Sequence, residues 1–252
     1  MLCALDYSLA HGVDDAIIDL TQRGIVGAIS CLSISDLWPQ SAKRFLRETD
    51  KMRVQPRIGL SLTLSGSFSP LSAGFAPENR EEEGKLPRQE DLAFAANRLA
   101  LDVGLLEAEF RAQLRRYSAH LGKMPDFVTL QASMLSLGPV ARAVTQSLSA
   151  LKLPQSVLLC PLPNKPSSLH QRIWQKLVWK STESQRQPWN RRVLMDATGP
   201  DRLPPKSSWR QDGKIWTAIY PAHLDERLVR FDGDLNRRQN QFSWFDQTTN
   251  TP

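Results

Sequence analysis

The chain has 252 residues, 41% hydrophobic and 23% charged, a balance that excludes intrinsic disorder and is enough for a sizeable core. No apolar run approaches the ~20 residues of a membrane span. Met1 leads straight into Leu2-Cys3-Ala4-Leu5, which reads as a strand, so a secretory leader is not expected. Cys3, Cys31 and Cys160 form no CxxC pair, so the expectation is a single reduced domain, residues 1–252, in the cytoplasm.

The formal charge is +6 and the pI about 9.4. The basic residues are spread over Lys43–Arg47, Arg111–Arg116, Arg186–Arg192 and Arg227–Arg238, mixed with acids in helix-like stretches. Neither zinc-finger spacing nor an aromatic nucleic-acid-binding strand accompanies them. They read as solvated faces, and nucleic acid is not the expected partner.

Met1–Tyr7 reads as a short buried strand ending in Asp6. Asp14–Arg23 follows as a helix, with Val13, Ala16, Ile17 and Leu20 on one face and Gly24 as its stop. Ile25–Ser33 is a second strand and Trp38–Glu48 a second helix. Arg57–Gly66 is the clearest strand, because Ile58, Leu60, Leu62 and Leu64 alternate with Gly59, Ser61 and Thr63. Such a wall, apolar on one face and lined by small polar groups on the other, suits the border of a ligand cavity. The β-α-β-α-β rhythm predicts a parallel sheet covered by helices.

Residues 67–88 break that rhythm with Ser, Pro, Gly and an acidic run, Glu78–Glu83, and read as an excursion over a barrel mouth. Gln89–Leu121 predicts two helices, with Leu105, Leu106, Phe110, Leu114 and Tyr117 inward, Arg111, Arg115 and Arg116 outward, and Gly122 as terminator. Phe127–Leu130 and Ser156–Leu159 read as strands around a helix at Pro139–Leu151. Residues 161–210 are irregular, with a helix at about Leu169–Lys180 and a strand at Val193–Met195. Lys214–Tyr220 is a strand, and Ala222–Val229 and Leu235–Phe245 are helices. The predicted fold is α/β, a parallel sheet covered by helices in a chain of the size natural for one (β/α) barrel.

Several motifs stand in an order that resembles the YdjC-like carbohydrate deacetylases, the group that includes the ChbG and HpnK proteins. They are Ala4-Leu5-Asp6-Tyr7-Ser8, Gly12-Val13-Asp14-Asp15-Ala16-Ile17 with Gly24 and Ser30, and Gly59-Leu60-Ser61-Leu62-Thr63-Leu64. Glu109–Gln113, Gly122-Lys123-Met124-Pro125, Thr129-Leu130-Gln131-Ala132-Ser133 and Tyr220-Pro221-Ala222 continue the series. The resemblance spans nearly the whole chain and is weakest over 161–210. It implies a distorted TIM-like (β/α) barrel, a place in carbohydrate metabolism (hopanoid biosynthesis among the options), and hydrolysis of an N-acetyl group on a sugar. In that chemistry a divalent metal activates water and a carboxylate takes its proton.

At the corresponding positions this chain is different. The resemblance places the base at Leu5, which has no titratable group, and retains the second aspartate as Asp6. Its strand histidine is Ser61, its later aspartate is Thr129 with histidines at Gln131 and Ser133, and its late histidine is Tyr220. One carboxylate with hydroxyls and an amide is a poor site for Zn²⁺ and a loose one for Mg²⁺. His11 and His223 are the candidates for a relocated centre, and each also reads as an ordinary loop or helix-start residue. His120 reads as solvated, and His170 lies in the irregular stretch. Cys3 and Cys31 read as packed thiols, and Cys160 has no adjacent base. The arginine the family tends to place near its R-x-P position has no counterpart at Leu159-Cys160-Pro161.

The sequence therefore predicts a homologue that has lost deacetylase catalysis and needs no cofactor. Its pocket is formed by Asp6, Tyr7, Ser61, Thr63, Gln131, Ser133, Tyr220 and His223, and takes a carbohydrate or glycolipid head group. Such a pseudoenzyme would act as a ligand-binding subunit, as a homodimer or as the partner of an active relative. Two alternatives stand beside it. One is an active metal-dependent hydrolase (Mg²⁺ or Zn²⁺) rebuilt on Asp6 with His223 or His11. The other is an interaction protein that uses its basic surface.

Overall fold

The described strands join one curled parallel sheet. The computed structural model describes residues 1–75, 84–98, 100–130, 134, 137–150, 157–162, 192–197, 203–210, 215–231 and 235–249. Chain order gives β1 Leu2–Tyr7, α1 His11–Gln22, β2 Ala28–Cys31, α2 Trp38–Thr49 and β3 Arg57–Ser61. Next come α3 Gln89–Asn97, α4 Val103–Leu121, β4 Phe127–Thr129, α5 Gly138–Ala150, β5 Val157–Leu162 and β6 Arg192–Asp196. A 3₁₀ turn at Lys206–Ser208, β7 Ile215–Ile219, α6 Glu226–Phe231 and α7 Leu235–Thr249 complete it. Each strand pairs in parallel with the next, and β7 pairs with β1 through Leu2↔Thr217 and Cys3↔Ala218, which closes the ring. The α/β architecture is the expected one, with seven strands around the ring.

Strand alternation builds two apolar layers. Leu2, Ala4, Ile29, Ile58, Leu60, Val128 and Ile219 point outward into one cluster with Val13, Ile17, Phe45, Phe110 and Tyr117 of the helices. Cys3, Leu5, Ala28, Phe127, Leu194, Trp216 and Ala218 fill the ring itself. There the Phe127 and Trp216 rings meet edge to face at 5.1 Å. Gly59 is required by this filling, because a Cβ on it would lie 2.3 Å from the Phe127 ring. Cys3 and Cys31 are fully buried, and burial pushes both thiols up, so both pack as expected.

Several boundaries differ from the sequence expectation for local reasons. β3 ends at Ser61 instead of Gly66, because the Gln113 side chain takes both backbone groups of Thr63. Thr63 N donates to Gln113 Oε1 at 3.0 Å, and Gln113 Nε2 donates to Thr63 O at 2.7 Å. α1 begins at His11, three residues early, and the Asp14 carboxylate reaches back to the Ser8 amide at 2.6 Å. α6 begins at Glu226 instead of Ala222, since Asp225 caps it by accepting from Leu228 N at 2.7 Å. Gly122 ends α4 in the left-handed conformation, φ 68°, as expected. Leu105 is exposed on α4, whereas Leu106, Phe110, Leu114 and Tyr117 are buried. The helix expected at Leu169–Lys180 lies outside the described residues.

Candidate functional site

A cavity of about 290 Å³ opens where the ends of β1, β3, β4 and β7 converge. Parallel strands leave their C-terminal ends free to project side chains there, which is where α/β barrels place ligands. Asp6, Ser61, Thr63 and Tyr220 line it, together with Leu5, Thr129, Leu62, Leu64, Phe68 and Met134. The Ser30 and Thr129 hydroxyls hydrogen-bond each other at 2.6 Å. Gln131 and Ser133 lie outside the described residues.

Tyr7 belongs elsewhere. Its side chain is buried in the outer layer, its hydroxyl donates to Ser41 O at 3.0 Å and its ring meets Phe45 edge to face at 5.2 Å. β1 carries a register irregularity between Ala4 and Tyr7, and Tyr7 keeps the outward phase of Leu2 and Ala4. Burial, with the Asp14 carboxylate nearby, pushes the Tyr7 phenol well up.

His223 and His11 are also displaced from the pocket. His223 is exposed, its amide donates to Gly12 O at 2.9 Å, and its ring rests on Phe242 with centroids 4.2 Å apart. His11 is the first, exposed residue of α1. Neither lines the cavity. His120 is half-buried instead of solvated, its Nδ1 2.9 Å from Arg116 O, and its ring meets Trp38. For Cys160 only the backbone, in β5, is described, and His170 lies outside the described residues.

Asp6 has an unusual conformation and an unforeseen partner. Its φ is 67°, a left-handed value seldom taken by residues other than glycine, asparagine and aspartate. Leu9 N closes the turn onto Asp6 O at 3.0 Å. Arg238 Nη2 donates to Asp6 Oδ2 at 2.7 Å from helix α7. The same guanidinium lies 5.5 Å from the centroid of the Tyr220 ring, and that of Arg237 lies 4.6 Å from it. Gln241, one turn on, accepts from Tyr220 N at 2.5 Å and donates to Ala197 O at 2.8 Å, which docks α7 on the sheet.

The run Arg227–Arg238 is therefore not simply a solvated face. Arg238 is 6% exposed, and Arg227 donates to Leu9 O at 2.9 Å and grips Asp36 with both terminal nitrogens. That fork lowers the Asp36 carboxyl below its ordinary value. A signal was available in the sequence. Arg238, Gln241 and Phe245 recur at i, i+3 and i+7, and all three are buried.

The Glu109–Gln113 motif serves the excursion after β3. Fully buried Glu109 accepts at Oε2 from Leu71 N (2.9 Å), Ser72 N (2.8 Å) and Ser72 Oγ (2.9 Å), and at Oε1 from Gln113 Nε2 (2.9 Å). Gly66 N to Pro87 O (3.2 Å) and Leu86 N to Phe68 O (2.7 Å) close the stem. The described part of the excursion is thus pinned to α4, with Phe68 set against the cavity. Asp14, under the β1–α1 turn, accepts from Ser8 N and from Ser41 Oγ (2.5 Å). Burial outweighs these bonds and pushes its carboxyl up to about 6.

The chemistry of this donor set does not fit the divalent metal of the deacetylase plan. The described lining supplies one carboxylate, already engaged by a guanidinium, beside hydroxyls and Leu5. Among the described residues there is no group of three or more His, Cys, Asp or Glu able to hold an ion. None of the described helices is long and apolar enough to cross a membrane.

Comparisons with known proteins agree with this architecture. The sequence model described as YdjC-like protein matches residues 1–239. A crystal structure of a candidate cellobiose-phosphate cleavage protein from Enterococcus faecalis superposes with a TM-score of 0.67 at 15% identity. The match covers 97% of this chain and 88% of that one, and at this identity it speaks for the fold. No curated protein matches the sequence.

Proposed function

This chain belongs to the YdjC-like family, a family of carbohydrate deacetylase type, and we propose that it is a member without metal-dependent hydrolysis. In this reading the scaffold and its cavity are kept as a binding site for a sugar or a glycolipid head group. The observation that carries it is the wall of the cavity itself. Leu5 stands at the position that the resemblance assigns to the base, and the one carboxylate of the described lining, Asp6, is held by Arg238. An aliphatic side chain cannot take a proton from water, and a carboxylate paired with an arginine is a poor partner for a second cation.

The remaining lining suits recognition. Hydroxyls of Ser61, Thr63 and Thr129, the Tyr220 ring and the Asp6 carboxylate alternate with Leu62, Leu64 and Met134. Sugars present hydroxyls around an apolar ring face, and such a wall meets both. A hydrolase rebuilt on Asp6 with His223 or His11 finds less support, since neither histidine lines the cavity. The action of the protein is then that of a ligand-binding or partner subunit.

The test is acetate release from N-acetylglucosamine and its β-1,4 oligomers, with Zn²⁺, Mg²⁺ or Mn²⁺ supplied in turn. The expected result is no turnover above the uncatalysed rate. Metal-dependent turnover that disappears in Asp6→Ala would overturn the proposal.

A further inference from the structure

Asp6, the last residue but one of β1, has a left-handed backbone conformation, φ 67°, which is less favourable than ordinary strand geometry. The carboxylate so placed lines the cavity, and Arg238 holds it from behind through Oδ2 at 2.7 Å. Among the described residues nothing donates to its other oxygen, Oδ1. Both side chains are shielded, with 7% of Arg238 and 24% of Asp6 exposed. The arginine is itself fixed, by the Tyr220 ring and by α7, which Gln241 docks on the sheet.

Two consequences follow from elementary electrostatics. A divalent ion at Asp6 would sit beside a buried guanidinium and would have to break a charge-assisted bond to reach the carboxylate. A carboxylate or phosphate oxygen of a ligand finds no donor at Asp6, because an ionised carboxylate only accepts. What the site accepts is an O–H donor, and the neighbouring Ser61 and Thr63 hydroxyls can give or take a further bond. The cavity, about 290 Å³, is at the small end for ligand pockets, which run from about 300 to 1,000 Å³.

We infer that Arg238 is the positioning residue of this pocket. It takes the place of the metal cation at Asp6 and holds the carboxylate as acceptor for the hydroxyls of a neutral sugar unit. The choice of a sugar rests on the binding function proposed above. The exclusion of metal by Arg238 does not, and the two are tested separately.

The experiment is a calorimetric titration of N-acetylglucosamine, glucose and glucuronate, without metal, into the wild-type chain and into Asp6→Asn, Arg238→Met and Arg238→Lys. Mn²⁺ is titrated into the same proteins. The wild type is expected to bind a neutral sugar at least 10-fold tighter than glucuronate. Asp6→Asn and Arg238→Met should each weaken that binding 10-fold or more, and the double variant should be no weaker than Asp6→Asn alone. Arg238→Lys, which keeps the charge without the fork, should retain an intermediate affinity and keeps the test open if Arg238→Met does not fold. Mn²⁺ should bind Arg238→Met at least 10-fold tighter than wild type and lose that gain when Asp6→Asn is added. A preference for glucuronate, or neutral-sugar binding indifferent to Arg238, overturns the positioning role while leaving a sugar-binding protein. No sugar binding at all, with the Mn²⁺ pattern as expected, sinks the sugar function and leaves the cation role of Arg238. Tight Mn²⁺ binding by the wild type, or no gain in Arg238→Met, overturns that role.

Discussion

Glu109→Gln removes one charge and no volume from the best-satisfied buried carboxylate described in the molecule. Glu109 is fully buried and accepts four hydrogen bonds, three at Oε2 from Leu71 and Ser72 and one at Oε1 from Gln113 Nε2. An amide can serve only one of those two directions. Turned one way, its NH₂ opposes the Leu71 and Ser72 amides; turned the other, it opposes the Gln113 NH₂. Hydrogen bonds to a charged acceptor contribute about 1.5–3 kcal/mol each, and a buried donor left unmade costs about 1–3 kcal/mol. The cheaper orientation loses the Gln113 bond and weakens the other three, so the expected destabilisation is about 2–4 kcal/mol. Urea unfolding followed by circular dichroism measures it. Hydrogen exchange should locate the change, with amides at Leu71, Ser72 and Thr63 losing protection more than those of β1 and β2. A loss under about 0.5 kcal/mol, the range of an ordinary surface substitution, would falsify the view that Glu109 anchors the excursion.

Three further outcomes follow from single observations. Gly59→Ala places a methyl 2.3 Å from the Phe127 ring inside the barrel and should destabilise by about 1–3 kcal/mol or more, with partial recovery in Gly59→Ala/Phe127→Leu; wild-type stability of the single variant in urea would show that the ring can move aside. Tyr7→Phe removes the hydroxyl that donates to Ser41 O and should cost about 1 kcal/mol while leaving ligand affinity unchanged, so a loss of affinity greater than 3-fold would return Tyr7 to the pocket. Asp14, with a carboxyl raised to about 6 in the folded chain and 3.8 as its ordinary value, holds its proton more tightly when folded. Its contribution therefore favours the folded state below about pH 4 and is lost as pH rises toward 6, a change of roughly 2–3 kcal/mol. Asp14→Asn should flatten that part of the stability profile, and an unaltered profile from pH 4 to 7 would contradict the assignment.

The fold was legible where local chemistry and tertiary packing agree. Arg57–Ser61 alternates strictly, and its small inward residues have a physical cause in Phe127, which fills the ring opposite Gly59. Gly122 stops α4 in the conformation that glycine permits. What was misread depends on partners distant in sequence. The end of β3 is set by Gln113, 50 residues away, and the true start of α6 by Asp225, whose other oxygen accepts from Gly12 N at 2.5 Å. Tyr7 follows Asp6 directly, and its phase could not be read without the left-handed φ of Asp6 and the irregular pairing with β2.

The candidate site shows the same division. Ser61 and Thr63 were legible in the alternation of Arg57–Gly66, and Asp6 and Tyr220 in the motifs that resemble the YdjC-like family. Arg238 was missed because it lies 232 residues from Asp6 within a run of arginines that composition alone assigns to solvent. Yet a buried charge without a partner is expensive, so an arginine in register with Gln241 and Phe245 on the inward stripe of a helix must meet a carboxylate or a set of carbonyls. The chain that sets Leu5, Ser61, Thr129 and Tyr220 around the cavity also brings a guanidinium to the carboxylate of its described lining. These features constrain one another. Among the described lining residues Asp6 is the single carboxylate, and a fixed cation from α7 satisfies it. Reintroducing a base by Leu5→Asp alone is therefore expected to put a second carboxylate beside Asp6 and to destabilise the barrel mouth, not to restore hydrolysis.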